Sequence, residues 1–168
     1  ARRCPPDGYP SRGRAPGALH LRSDVERKHR FAVAETTRLP AGAYQSDISA
    51  MVYDTLDDLA ETALRIGQAA IVDATYLRLE ERDAIAAVAA RAGVLFLGLW
   101  LEAPVEMLVR RVKERRRDAS DATGSVVVSQ ARQTIGILAW HRLDSSQTLD
   151  ALKAAALDLL QQAVAGRT

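Results

Sequence analysis

The sequence of 168 residues has a single cysteine, Cys4, so no disulfide can close within it. Aromatic residues are scarce at 5%, while hydrophobic residues reach 48% and are mostly Ala, Leu and Val, which implies an aliphatic core that leans on helices. No apolar run is long enough to span a bilayer, and the Arg- and Pro-rich opening lacks the apolar stretch of a signal peptide; a cytoplasmic setting is expected. His20, His29 and His141 are scattered without metal-ligand spacing, so no zinc site is expected. A net charge of +2 is too small to imply a nucleic-acid partner. What is left is a globular chain of a length that suits one domain with a real core.

Pro5, Pro6, Pro10 and Pro16 crowd residues 1–17, where nothing alternates or repeats at helical spacing. Proline removes donors and fixes φ, so this segment reads as an irregular Arg/Pro-rich tail. Residues 18–168 read as one α/β domain. Residues 18–22 suit a short strand. Ser23 is placed to cap a helix over 24–31, with Glu26 as in a capping box. A polar linker broken by Pro40 and Gly42 follows.

Ile48, Met51, Val52, Leu56, Leu59, Ala63 and Ile66 recur at three- and four-residue steps, which predicts a helix over 47–66, capped by Ser46 and ended by Gly67. Residues 69–73 form an apolar run, the signature of a strand covered on both faces. A helix over 79–92 stopped by Gly93, an apolar strand over 94–101, and a helix from Pro104 to about Arg116 come next. After a loop over 117–124, a helix over 125–138, a strand over 140–143 and a last helix over 148–165 complete the pattern. Trp100 and Trp140 are expected in the core. This alternation predicts a parallel sheet with helices on both faces and right-handed crossovers. Ligands bind such sheets beyond the carboxyl ends of the strands, which points to Asp24, residues 73–76, Glu102 and residues 144–146.

Each of these residues has two readings. Asp73, at the end of a buried strand, could hold magnesium that bridges nucleotide phosphates, or could cap the turn that follows. Asp24 could accept a proton from a substrate hydroxyl, with Arg27 and Lys28 orienting an anionic substrate, or could simply complement the helix dipole. Arg110, Arg111, Arg115, Arg116 and Arg117 crowd a helix end. Arg111 and Arg115 are four apart and share a face, so they could clamp phosphoryl oxygens, or the cluster could be a solvated basic end. Asp118, Ser120 and Asp121 lie in a small polar loop in which Asp121 or Thr123 could cap the next helix. Asp144, Ser145 and Ser146 could meet a purine base or cap the final helix.

The segments ALHLRSDVERK, AAIVDAT, GLWLEAP, RVKERRRDASDAT and WHRLDSS, in this order, resemble small bacterial ATP-binding proteins of the P-loop kinase class, relatives of gluconate kinase and zeta-toxin-like kinases. The likeness is greatest to the ATP-binding domain fused behind an aminoglycoside-phosphotransferase-like domain, and it covers about residues 15–165. The resemblance implies a three-layer P-loop NTPase-like fold that uses ATP and magnesium to phosphorylate a small hydroxyl-bearing substrate. It implies that Asp24 is the substrate-side acid, Arg27 a substrate-binding residue and Asp73 the metal carboxylate, with Thr75 beside it. Arg111 and Arg115 become lid arginines, and Asp144, Ser145 and Ser146 the adenine-side loop.

The family opens with a strand and a Gly-rich loop, G-x-x-x-x-G-K-[ST], whose amides and Lys cradle the phosphates. This sequence contains no such motif; ARRCPPDGYPSRGR stands in its place. The expectation is therefore an N-terminally truncated or misread domain, missing the central first strand of its sheet and impaired in catalysis. The competing expectation is a non-catalytic, pseudokinase-like module that serves a partner domain.

Overall fold

The computed structural model describes residues 17–115 and 118–166. The expected tail over 1–16, and Arg116 and Arg117, lie outside them. Strand β1, Leu19–Arg22, runs parallel to β2, Ala70–Asp73, with Leu21 opposite Val72 and Arg22 opposite Asp73. Strand β3, Leu99–Glu102, runs parallel to β4, His141–Asp144, with Glu102 opposite Asp144. Among the described residues no ladder joins the two pairs.

Among the described residues six helices connect and cover the strands: α1 (Ser23–Arg30), α2 (Ser46–Arg65), α3 (Leu79–Arg91), α4 (Val105–Glu114), α5 (Gly124–Ala131) and α6 (Leu149–Ala165). A 3₁₀ turn, Ala41–Tyr44, fills the linker in which only a break at Pro40 and Gly42 was expected. Helix α2 packs on α1, α3 and both strands of the first pair, α4 packs on α5, and α6 on β4.

The glycine stops are where the periodicity puts them. Gly67 at φ 78° and Gly93 at φ 66° turn the chain out of α2 and α3. The following amides bond back in the Schellman pattern, Gln68 N to Ala63 O at 2.9 Å and Val94 N to Ala89 O at 3.1 Å. Thr123 and Thr148 cap α5 and α6 by accepting from Val126 N and Ala151 N.

Several boundaries differ from expectation, each for a physical reason. Ser23 and Ser46 lie inside their helices rather than capping them; the cap positions are Arg22 and Gln45, whose side chains make no capping bond. Glu26 forms no capping box and lies 3.6 Å from His29 Nδ1 instead. Strand β2 is not covered on both faces, because Ile71 and Asp73 are exposed where no further strand pairs with it. Strand β3 is half the length of its apolar run, since only residues 99–102 find a partner in β4. Helix α5 ends at Ala131 rather than 138; the chain turns at Gly136, whose φ is 67°.

The core explains how two sheet pieces cohere. Leu21, Leu56, Ala60, Ile85 and Val88 form its aliphatic part. Tyr53 from α2, Tyr76 after β2, Trp140 before β4 and Phe96 before β3 stack edge to face, at centroid spacings of 5.3, 5.1 and 5.8 Å. Trp140 thus meets the expectation of a core residue. Its ring lies against Gly98, where an added Cβ would fall 2.4 Å from Trp140 Cγ. Gly98→Ala is therefore expected to displace Trp140 and destabilise the domain by about 1–3 kcal/mol. Urea denaturation should show a lower midpoint with an unchanged slope.

Candidate functional site

The carboxyl ends of both parallel pairs carry charged side chains, and one helix links them. At the first pair, Arg22 Nε lies 3.4 Å from Asp73 Oδ2, and His20 Nε2 lies 3.8 Å from the same oxygen. The cross-strand register sets this, since Arg22 and Asp73 are opposite residues. Arg22 Nη2 also donates to Asp118 Oδ1 at 3.0 Å, and Arg115 Nε lies 3.7 Å from Asp118 Oδ2. One turn back along α4, Arg111 Nη2 donates to Ser145 O at 2.7 Å at the end of the second pair. Asp73, Arg22, Asp118, Arg115, Arg111 and Ser145 are thus strung together. The i, i+4 spacing of Arg111 and Arg115 lets α4 reach both strand ends.

The loop after α4 is seated by two carboxylates. Asp118 also accepts from Ser120 N at 3.0 Å. Burial raises the Asp118 pKa, but the bonds from Ser120 N and Arg22 and the charges of Arg115 and Arg22 outweigh it and hold the carboxyl below its ordinary range. Asp121 Oδ2 accepts from Lys28 Nζ, from Tyr44 OH, and from Leu39 N at 2.9 Å. Burial pushes this carboxyl up too, and the bonds from Lys28, Tyr44 and Leu39 bring it below the usual carboxylate range. Lys28 is only 1% exposed and gives a further bond to Thr37 O.

The residues singled out from the sequence fall into three groups. Asp73, Arg111, Arg115, Asp144 and Ser145 gather at the strand ends. Asp144 accepts from Ser146 N at 2.8 Å, and Ser145 Oγ donates to Glu102 O at 3.0 Å. Bonds from Ser146 and Gln147 hold the exposed Asp144 carboxyl below its ordinary range. Thr75 Oγ1 lies 3.0 Å from Tyr53 OH, so its hydroxyl is committed to the core. Asp24 sits half-buried in the first turn of α1, and Arg27 lies beneath the 3₁₀ turn. Arg27 is 6% exposed, donates to Ala43 O at 2.7 Å and stacks at 4.8 Å on the Tyr44 ring. Its Nε is buried without a partner.

Sequence reasoning missed Arg82 and the pairing of Lys28 with Asp121. Asp121 reads locally as a helix cap, a role Thr123 takes. Arg82, 2% exposed, donates to four backbone carbonyls, Tyr76, Leu77, Ile135 and Ile137, and so ties the loop after β2 to the turn before β4. No local signal marks them: the burial of Arg27 and Lys28 on α1, which requires acceptors to be brought to them, is seen only in the fold.

Among the described residues no group of three or more His, Cys, Asp or Glu is placed to hold a metal. Magnesium asks less, since one or two carboxylates with water and phosphate oxygens suffice. Asp73 fits that requirement, its side chain being 56% exposed at the strand end even with Arg22 3.4 Å away.

Parallel strands with helical crossovers and charged carboxyl ends define a P-loop NTPase-like α/β fold. The AAA-domain family matches residues 11–135, well over half of the chain, and the chain belongs to that family. No curated protein matches it. Among solved structures it is similar to the APS kinase of Mycobacterium tuberculosis, determined with AMPPNP and APS (21% identity, 86% of this chain and 80% of that one, TM-score 0.57). It is also similar to a sugar kinase of Janibacter sp., determined without ligand (19%, 86% and 80%, 0.63). A third likeness is to the tunicamycin resistance protein of Deinococcus radiodurans (11%, 88% and 82%, 0.52). No helix of the described residues is long and apolar enough to cross a membrane.

The Lys28–Asp121 pair generates a prediction. Asp121→Ala leaves a buried ammonium uncompensated and should cost about 3–5 kcal/mol. A Lys28→Met/Asp121→Leu double variant, with no charge to compensate, should regain part of it. Because the folded-state pKa of Asp121 is depressed, the folded chain holds this proton less tightly than the unfolded chain. Its stabilising contribution is complete above the unfolded value of about 3.9 and disappears as pH falls through the folded value. Urea midpoints measured from neutral to acidic pH should show a steeper acid loss in the wild type than in Asp121→Asn.

Proposed function

We propose that this chain is built for phosphoryl transfer from ATP to a hydroxyl group of a small molecule, in the manner of a P-loop small-molecule kinase. The observation that carries the reading is the chain of contacts from Asp73 through Arg22, Asp118 and Arg115 to Arg111 and Ser145, at the carboxyl ends of parallel strands in an AAA-domain chain. The ligands of the Mycobacterium tuberculosis APS kinase structure, AMPPNP and APS, are in keeping with it.

In this reading Asp73 holds magnesium through its exposed carboxylate, and Thr75 steadies the loop beside it. Bound magnesium would neutralise phosphate charge. Asp24 accepts the proton of the acceptor hydroxyl as that oxygen bonds to the γ-phosphorus and the bond to ADP breaks. Arg111 and Arg115 stabilise the charge that develops on the transferring group, after Arg111 exchanges Ser145 for it. Asp144, Ser145 and Ser146 border the nucleotide base. Arg27 acts on substrate chiefly by fixing the 3₁₀ turn, its buried Nε being the donor left to spend. A cytoplasmic site of action and an aminoglycoside-phosphotransferase-like neighbouring domain belong to the same proposal.

The sequence carries no G-x-x-x-x-G-K-[ST] motif, and Arg22 sits on the carboxylate that would take the metal. Both features favour a second reading, a non-catalytic module with weakened nucleotide binding. Calorimetric titration with ATP, with and without magnesium, separates the two. The kinase reading expects weak, magnesium-dependent binding that falls about tenfold in Asp73→Asn, equivalent to 1.4 kcal/mol. Binding absent from the wild type, or indifferent to magnesium and to Asp73→Asn, supports the non-catalytic module instead.

A further inference from the structure

A cavity of about 230 Å³ lies between the segment before the 3₁₀ turn and the loop after α4, lined among others by Thr36, Arg38, Arg115, Asp118, Ser120 and Asp121. Two arginines and two aspartates line it, but the aspartates are held mainly by groups outside it. Asp118 is matched by Arg22 at 3.0 Å, and Asp121 by Lys28, Tyr44 OH and Leu39 N, none of which lines the cavity. Both carboxylates are thus satisfied from behind. Arg38 makes no hydrogen bond or ion pair among the described residues, and the nearest carboxylate oxygen to Arg115 is at 3.7 Å. Arg38 therefore faces a small polar cavity with no ion-pair partner among the described residues, Arg115 faces it with one long contact to Asp118, and the hydroxyls of Thr36 and Ser120 stand beside them.

Guanidinium forks suit oxyanions, which they bind through paired N–H donors. The volume admits a group of a few heavy atoms, well below the size of a nucleotide site. The cavity also adjoins the α1 end of the site. Its Asp121 accepts from Tyr44 OH, and the Tyr44 hydroxyl is raised in pKa by burial, by its bond to Asp121, and by the charges of Asp121 and Asp24.

We infer that Arg38 and Arg115 form a binding site for a small tetrahedral dianion, a phosphate or sulfate group carried by the phosphate acceptor. The assignment to the acceptor rests on the kinase reading; the anion site itself does not. It gives Arg115 a part in acceptor recognition, and it brings in Arg38, which no other consideration singles out. Acceptors bearing a phosphate or sulfate monoester would be preferred over neutral polyols, because the unpaired Arg38 and the loosely paired Arg115 favour negative charge at this position.

Isothermal titration of the chain with inorganic phosphate, with sulfate and with malonate tests the site. Saturable binding of phosphate and sulfate is expected, at least about tenfold tighter than malonate if tetrahedral geometry matters. Arg38→Ala should weaken phosphate binding about tenfold or more, and Arg38→Lys should recover only part, since the paired donors are lost. Arg38 is exposed and unpartnered, so the variant should melt at the wild-type temperature. Mg-ATP titration of the same variant should be unchanged. No saturable phosphate binding by the wild type, or equal binding by Arg38→Ala, overturns the site. Phosphate binding that depends on Arg38 in a chain that does not bind Mg-ATP upholds the anion site while removing the kinase reading.

Discussion

The buried Lys28–Asp121 pair is the constraint on which the rest of the site depends. An ammonium taken out of water this completely is tolerated only when acceptors surround it, and the acceptors here come from Thr37 O and from Asp121, 93 positions along the chain. Asp121 in turn gathers Tyr44 and Leu39, so one carboxylate fixes the 3₁₀ turn, the segment before it and the loop after α4. Asp118, three residues earlier, then falls against Arg22 and sets the guanidinium over Asp73. The position of the arginines on α4 follows from where this loop is anchored.

The two halves of the sheet are held by a different device. With no ladder between the pairs among the described residues, backbone hydrogen bonds cannot carry the connection. The edge-to-face chain from Tyr53 to Phe96 and the four carbonyl bonds of Arg82 do. Both meet at Tyr76, a non-glycine residue at φ 44°, whose strained backbone is kept in place by Arg82 on its carbonyl and by Tyr53 OH on its amide at 3.1 Å. Scarce aromatics are thus concentrated where the backbone leaves the join unsupported.

What the sequence made legible is what depends on neighbours. The three- and four-residue rhythm from Ile48 to Ile66 is a local signal, and α2 lies within two residues of it; Gly67 and Gly93 end helices because few other residues accept their φ. Asp73 and Asp144 were singled out because strand ends in parallel sheets are places to look, and Arg111 because it shares a helix face with Arg115. What escaped depends on distance. An apolar run such as residues 94–101 states that a strand is permitted, but a strand is made by its partner, and β4 reaches only residues 99–102. Lys28 read as a residue that orients an anionic substrate and Asp121 as a helix cap, because their reason for being there is each other.

The same logic bears on Arg22. A guanidinium between Asp73 and Asp118 supplies, from within the chain, the positive charge that a pair of strand-end carboxylates demands. A metal at Asp73 would have to displace that contact, and the cost is modest because the pair is half-exposed and the 3.4 Å contact is long for a charge-assisted hydrogen bond. Arg22 would keep its shorter bond to Asp118 while giving up Asp73. The geometry is thus that of a carboxylate guarded weakly from one side, with the loop after α4 unmoved when the guard leaves.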